Sequence, residues 1–159
     1  MHDGGAPRRT DTASRIVAAN PDAVYRAFST AEALMAWLPP GGMTGRAFAY
    51  DFRAGGRYRI ELAYDAAVRA GGGKTTDRSD VTTGRFLTLQ PGTRIVQTVE
   101  FESNDSAFGG EMLLTWTFDA IPQGTRVTIT AENVPPGITK ADHDEGLRAS
   151  LENLANYLG

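Results

Sequence analysis

The segment from Thr139 to Leu158 limits what this chain can fold into more than any other. Leu147, Leu151, Leu154 and Leu158 recur at four-and-three spacing, the stripe of an amphipathic helix, and His143 stands one turn upstream on the same line. Thr139, with Asp142 three residues on, reads as a capping pair that starts the helix. Such a helix runs about 30 Å, and its leucines need a surface to bury against. A stripe that ends in histidine predicts that one end packs as core while the other lines something wetter. That is the layout of a binding cavity.

The rest of the chain supplies the surface. Ile16 and Val17 mark a short first strand within Thr12 to Ala18. Asn20-Pro21-Asp22 then starts a helix, with Asn as cap, Pro in the first position and an acid in the first turn. Ser29-Thr30-Ala31-Glu32 repeats the start signal for a second short helix carrying Leu34, Met35 and Trp37, closed by Pro39-Pro40-Gly41-Gly42. From there the period changes to two. Phe48, Tyr50 and Phe52 alternate, Gly55-Gly56 turns the chain, and Tyr58, Ile60, Leu62 and Tyr64 alternate against Arg57, Arg59 and Glu61. After a Gly-rich stretch at Ala70–Asp80, further strands are predicted at about Ser79–Leu89, Arg94–Phe101, Glu111–Asp119 and Thr125–Ala131. Met112, Leu114, Trp116 and Phe118 form the most apolar strand face, opposite Thr115, Thr117 and Asp119, as in an antiparallel sheet with one side covered.

The fold class that follows is α+β: a curved antiparallel sheet in the order β-α-α-β6-α, wrapped around the long C-terminal helix. At 159 residues the chain is expected to form one domain, residues 11–159, behind a loose polar tail, residues 1–10. The tail carries no apolar run, so neither a signal peptide nor an anchor is read there, and a cytoplasmic location is the expectation. A net charge of −3 leaves no basic face to neutralise phosphates, which argues against nucleic acid, and no segment has the apolar length to enter a membrane. With no cysteine there are no disulfides or thiolate metal sites. The only other histidine is His2, so a His-based metal centre lacks partners, and no cofactor is expected. Gly71-Gly72-Gly73-Lys74-Thr75 imitates the end of a phosphate-binding loop, but Val68 stands where the motif needs glycine and a strand follows.

Four segments together resemble a known family. Asn20-Pro21-Asp22-Ala23-Val24-Tyr25-Arg26-Ala27-Phe28 with Trp37, Asp51-Phe52-Arg53-Ala54-Gly55-Gly56-Arg57-Tyr58, Gly124-Thr125-Arg126-Val127-Thr128-Ile129-Thr130, and the terminal helix from His143 to Leu158 occur in the family's order. The chain is similar to the family named after the activator of heat-shock protein 90 ATPase, within the helix-grip, START-like superfamily. The resemblance implies an apolar cavity between helix and sheet that takes a hydrophobic small molecule. It is also compatible with a homodimer and with contact to a chaperone. Where the family commonly has Trp after the helix glycine, this chain has Leu147, which leaves more room near His143 and Trp116.

Six residues are the candidates for lining such a cavity: Trp37, Tyr58, Gln97, Trp116, His143 and Leu147. His143 can orient a polar ligand group or serve as acid/base in a cyclase- or hydrolase-type reaction, since imidazole exchanges protons near neutral pH. The plainer reading is a helix-start histidine bonded to backbone. Tyr58 and Trp116 carry polar tips that need partners when buried. Gln97 shares a strand face with Ile95, Val99 and Phe101 if the register holds, and lies on the solvent face if it slips by one. Other aromatics at strand spacing read first as core. Arg57, Arg59, Arg85 and Arg126 read as solvated cross-strand partners of Glu61 and Glu100.

Overall fold

The computed structural model describes residues 8–39, 43–64 and 79–159. Strand β1 (Arg9–Val17) is followed by helices α1 (Pro21–Arg26) and α2 (Ala31–Trp37). Six strands come next: β2 (Met43–Tyr50), β3 (Arg57–Tyr64), β4 (Ser79–Gln90), β5 (Arg94–Phe101), β6 (Met112–Ile121) and β7 (Gly124–Val134). Helix α3 (Lys140–Leu158) ends the chain. All seven strands pair antiparallel in one sheet, ordered β1-β7-β6-β5-β4-β3-β2. This is the expected helix-grip α+β architecture. The strand begins at Arg9, two residues inside the stretch read as tail. Residues 1–7 of that tail and the Gly-rich stretch at 70–78 lie outside the described residues.

Local chemistry sets the element starts. The Asn20 side chain accepts from the Ala23 amide at 2.8 Å with Pro21 in the first turn, and Thr139 accepts from Asp142 at 3.1 Å. The α2 cap is Thr30, which accepts from Ala33 at 3.1 Å, one residue beyond the Ser29 box read from sequence. Along α3 the predicted stripe is the buried one: Leu147, Leu151 and Leu154 are buried and Leu158 half-buried. The helix backbone approaches β1 and α2 most closely. Its grip is therefore at one edge of the sheet, and it stands away from the β2–β5 side.

Two sequence expectations are corrected. Phe48 does not share the covered face with Tyr50. The β2–β3 register shifts between Ala47 and Ala49, and this one-residue bulge turns Phe48 outward to 45% exposure. There the Arg59 and Arg46 guanidinium groups lie 4.6 and 5.5 Å from its ring centroid. Arg59 pairs with Glu102 through two bonds of 2.7 and 2.9 Å, not with Glu61 or Glu100, and Arg57 stands opposite Arg85 in the β3–β4 register. Strand spacing alone does not show which carboxylate a long guanidinium reaches.

If the α3 stripe closes the core, Leu154→Ala should cost about 2–5 kcal/mol in urea unfolding, because the side chain has no exposure. Leu158→Ala, at the half-buried end of the stripe, should cost clearly less. Equal losses at both positions would mean that the helix is not anchored by this stripe.

Candidate functional site

Between α3 and the sheet lies a partly open pocket of about 420 Å³, within the range of about 300–1,000 Å³ occupied by small-molecule sites. Its walls are mostly apolar: Phe28 and Leu34 from the α1–α2 region, Tyr50, Ile60 and Val99 from the sheet, and Leu147 from α3. Polar groups are few, among them Asp80, Thr82, Gln97, His143, Ser150 and Asn153. Gly146 is exposed at this rim of α3, and a Cβ added there would meet nothing within 4 Å. No group of three or more metal-ligating side chains occurs among the described residues.

Five of the six sequence candidates lie on this wall: Tyr58, Gln97, Trp116, His143 and Leu147. Trp37 does not. It is 2% exposed, its indole N–H donates to the Ala27 carbonyl at 2.9 Å, and its ring packs edge-on against Phe28 and Trp116 at 5.1 and 6.1 Å. Trp37 braces α2 from behind the wall because its one donor is already taken by backbone. Trp116 is itself 4% exposed and sits 4.8 Å from Phe28, and its indole N–H has no hydrogen-bond acceptor among the described residues.

Gln97 falls on the concave face, and the Tyr58 hydroxyl donates to the Thr98 carbonyl. Tyr58 faces Gly84 in the β3–β4 register, and a Cβ on Gly84 would stand 1.9 Å from the Thr98 oxygen and 2.6 Å from the tyrosine hydroxyl. Glycine at this position is what lets the phenol cross to the carbonyl. Burial pushes the Tyr58 phenol well above its ordinary range, and likewise that of Tyr50, whose hydroxyl donates to the Phe28 carbonyl at 2.5 Å. Both stay protonated and serve as fixed donors.

At the α3 end of the cavity, His143 Nδ1 lies 2.8 Å from Asp11 Oδ2. The Asp11 side chain is wholly inaccessible, whereas that of His143 is 14% exposed. Arg9 Nε donates to both Asp11 oxygens at 2.8 and 3.0 Å, and its other arm donates to the Ile138 carbonyl at 2.7 Å. Lys140 Nζ is 3.8 Å from Asp11 Oδ1 and 2.9 Å from Asp144. Burial pushes the Asp11 carboxyl up, but hydrogen bonds from Arg9 and His143, with their charges, outweigh it and hold the group below the usual carboxylate range. A register shift between Arg9 and Asp11 in the β1–β7 ladder, beside Asn133 at φ 63°, sets the aspartate under α3.

Asp11 is the site residue that sequence reasoning missed. A single acid near the start of a strand carries no local mark of burial, and its partner is 132 residues away. The histidine is accordingly not the backbone-bonded helix-start residue of the plainer reading.

The depressed Asp11 pKa links this cluster to acid stability. Its contribution is present above the unfolded carboxyl value, about 3.9, and is lost as pH falls through the lower folded value. Asp11→Asn should therefore be about 2–3 kcal/mol less stable than wild type at neutral pH, with the gap closing under acid. An unchanged gap at the acid end of a pH series of urea melts would contradict an ionised Asp11.

Comparisons with known proteins agree with the geometry. A crystal structure of a protein from Chromobacterium violaceum matches with a TM-score of 0.80 at 32% identity, over 94% of this chain and 96% of the other. A protein from Rhodobacter sphaeroides matches in fold with a TM-score of 0.77 at 19% identity, over 98% and 94% of the two chains. One from Arthrobacter aurescens gives 0.76 at 15% identity, over 94% and 85%. No curated protein sequence matches the chain. No helix among the described residues is long and apolar enough to cross a membrane. The family profile described as Activator of Hsp90 ATPase homolog 1-like protein matches residues 18–159. On that match and on the shared architecture, the chain belongs to the Activator of Hsp90 ATPase homolog 1-like family.

Proposed function

We propose that this protein binds a hydrophobic small molecule in the cavity between α3 and the sheet. The observation that carries the reading is the space itself. A volume of about 420 Å³ lies beside a closely packed aromatic cluster, yet side chains do not fill it. Apolar walls without packing partners forgo van der Waals contacts. A ligand in the space supplies those contacts.

Two features of α3 support access from this side. Leu147 is smaller than the aromatic residue that the resemblance led one to expect there. Gly146 leaves the rim open, although glycine within a helix costs about 1 kcal/mol relative to alanine. An exposed helical glycine with free space around its Cα is not needed for packing. It fits a portal.

The test uses a neutral solvatochromic dye, Nile red. Wild-type protein should bind it saturably with a blue-shifted emission, and Leu147→Trp should weaken binding about tenfold, or 1.4 kcal/mol, with the far-ultraviolet circular dichroism unchanged. Equal affinity in the two proteins would place the dye, and the binding site, elsewhere. Gly146→Ala should raise stability by about 0.5–1 kcal/mol. A loss of stability there would show that the rim is tighter than the geometry indicates.

A further inference from the structure

The polar end of the cavity specifies more than an apolar ligand. Asp11 is inaccessible, is clamped through both oxygens by Arg9, and is held in its ionised form, so it can only accept from His143. The imidazole must therefore carry its proton on Nδ1. That fixes the tautomer and turns the ring, with the carboxylate on one side and the cavity on the other. Nε2 is the ring nitrogen left over in a residue that lines the cavity, with no other partner of the ring among the described residues.

In the neutral imidazole, Nε2 is a lone-pair acceptor. A buried carboxylate behind the ring also stabilises positive charge that develops on it when a proton is shared across the new bond. This is the logic of an aspartate that orients and backs a histidine in hydrolases. The charged groups around the ring are Asp11 and Arg9 from β1 and Lys140 and Asp144 from α3, while Asp80 stands in the cavity wall. A ligand carboxylate has no proton to donate to a neutral imidazole nitrogen, and an ammonium group would lose its hydration among aromatic rings.

We infer that the ligand is an aromatic or otherwise apolar molecule bearing one acidic hydroxyl, a phenol or enol, which donates to His143 Nε2. Asp11 is the positioning residue that keeps Nε2 an acceptor. This inference rests on the binding reading above and goes further by naming the group recognised. Asp11 lies before residue 18, where the family match begins, so the match itself assigns it no role.

The experiment compares β-naphthol with β-methylnaphthalene, which differ by a hydroxyl in place of a methyl. An apolar pocket without an aimed acceptor favours the methyl compound, because the hydroxyl must shed its water. A pocket with an acceptor penalises the compound that leaves it unpaired. Wild-type protein should bind β-naphthol at least about tenfold more tightly in fluorescence titrations at one near-neutral pH.

His143→Phe should reverse or abolish that preference while still binding β-methylnaphthalene. Asp11→Asn should reduce the preference without loss of methylnaphthalene binding, a split that a merely structural aspartate would not produce. The wild-type comparison stands even if a variant fails to fold. Nile red bound with no preference for the naphthol would overturn the hydroxyl inference and leave the cavity reading in place. A preference that survives in folded His143→Phe would overturn it as well. Failure of wild type to bind any of the three would overturn both.

Discussion

The structure depends on how one helix is held against one sheet. Three leucines on α3 supply the apolar anchor, and the backbone of the helix runs closest to β1, the edge strand, rather than to the middle of the sheet. Near its N-terminus the same helix is tied to the same strand by a buried hydrogen bond, His143 to Asp11. Both attachments lie toward one edge. The pocket lies between α3 and side chains of the β2–β6 side, such as Tyr50, Ile60, Val99 and Met112. The cavity is a consequence of where the helix is fastened.

The division along α3 also explains the character of the walls. Beyond Leu147, Leu151 and Leu154 face protein and are sealed, whereas Gly146, Ala149, Ser150 and Asn153 line the cavity with small or polar side chains. Across from them, the sheet offers aromatic and aliphatic groups, and the two tyrosine hydroxyls are already used: Tyr50 on the Phe28 carbonyl and Tyr58 on the Thr98 carbonyl. Such groups are rigid and their donors are committed to protein partners. His143 differs from them, because only one of its two ring nitrogens is engaged by a protein partner among the described residues. The wall is therefore mostly apolar, and its uncommitted polar atoms include one ring nitrogen of His143 and the Trp116 indole N–H.

Much of this was legible in the sequence, for identifiable reasons. Helix starts were readable because caps are local: Asn20 and Thr139 each act on an amide three residues on. Strand faces were readable where the period of two runs unbroken, as from Met112 to Phe118. They were misread at Phe48, where one extra residue inverts the alternation. Trp37 is a wall candidate by sequence, but its donor is spent on a carbonyl one helix back, which sequence does not reveal. Asp11 was not legible, because a buried hydrogen bond across 132 residues leaves no pattern at either end. The half of the site built from periodic apolar residues could be seen in advance, and the half built from a long-range hydrogen bond could not.

The central claim is that the space under α3 is real and takes up apolar molecules in solution. Methyl-resolved NMR of the labelled protein, titrated with a neutral apolar ligand, tests it most directly. The account predicts saturable shifts at Ile60, Met112 and Ile129, whose side chains line the space, with the outward-facing Ile16 and Leu87 unmoved. Shifts confined to Ile16 and Leu87, or wall methyls that never respond, would contradict it.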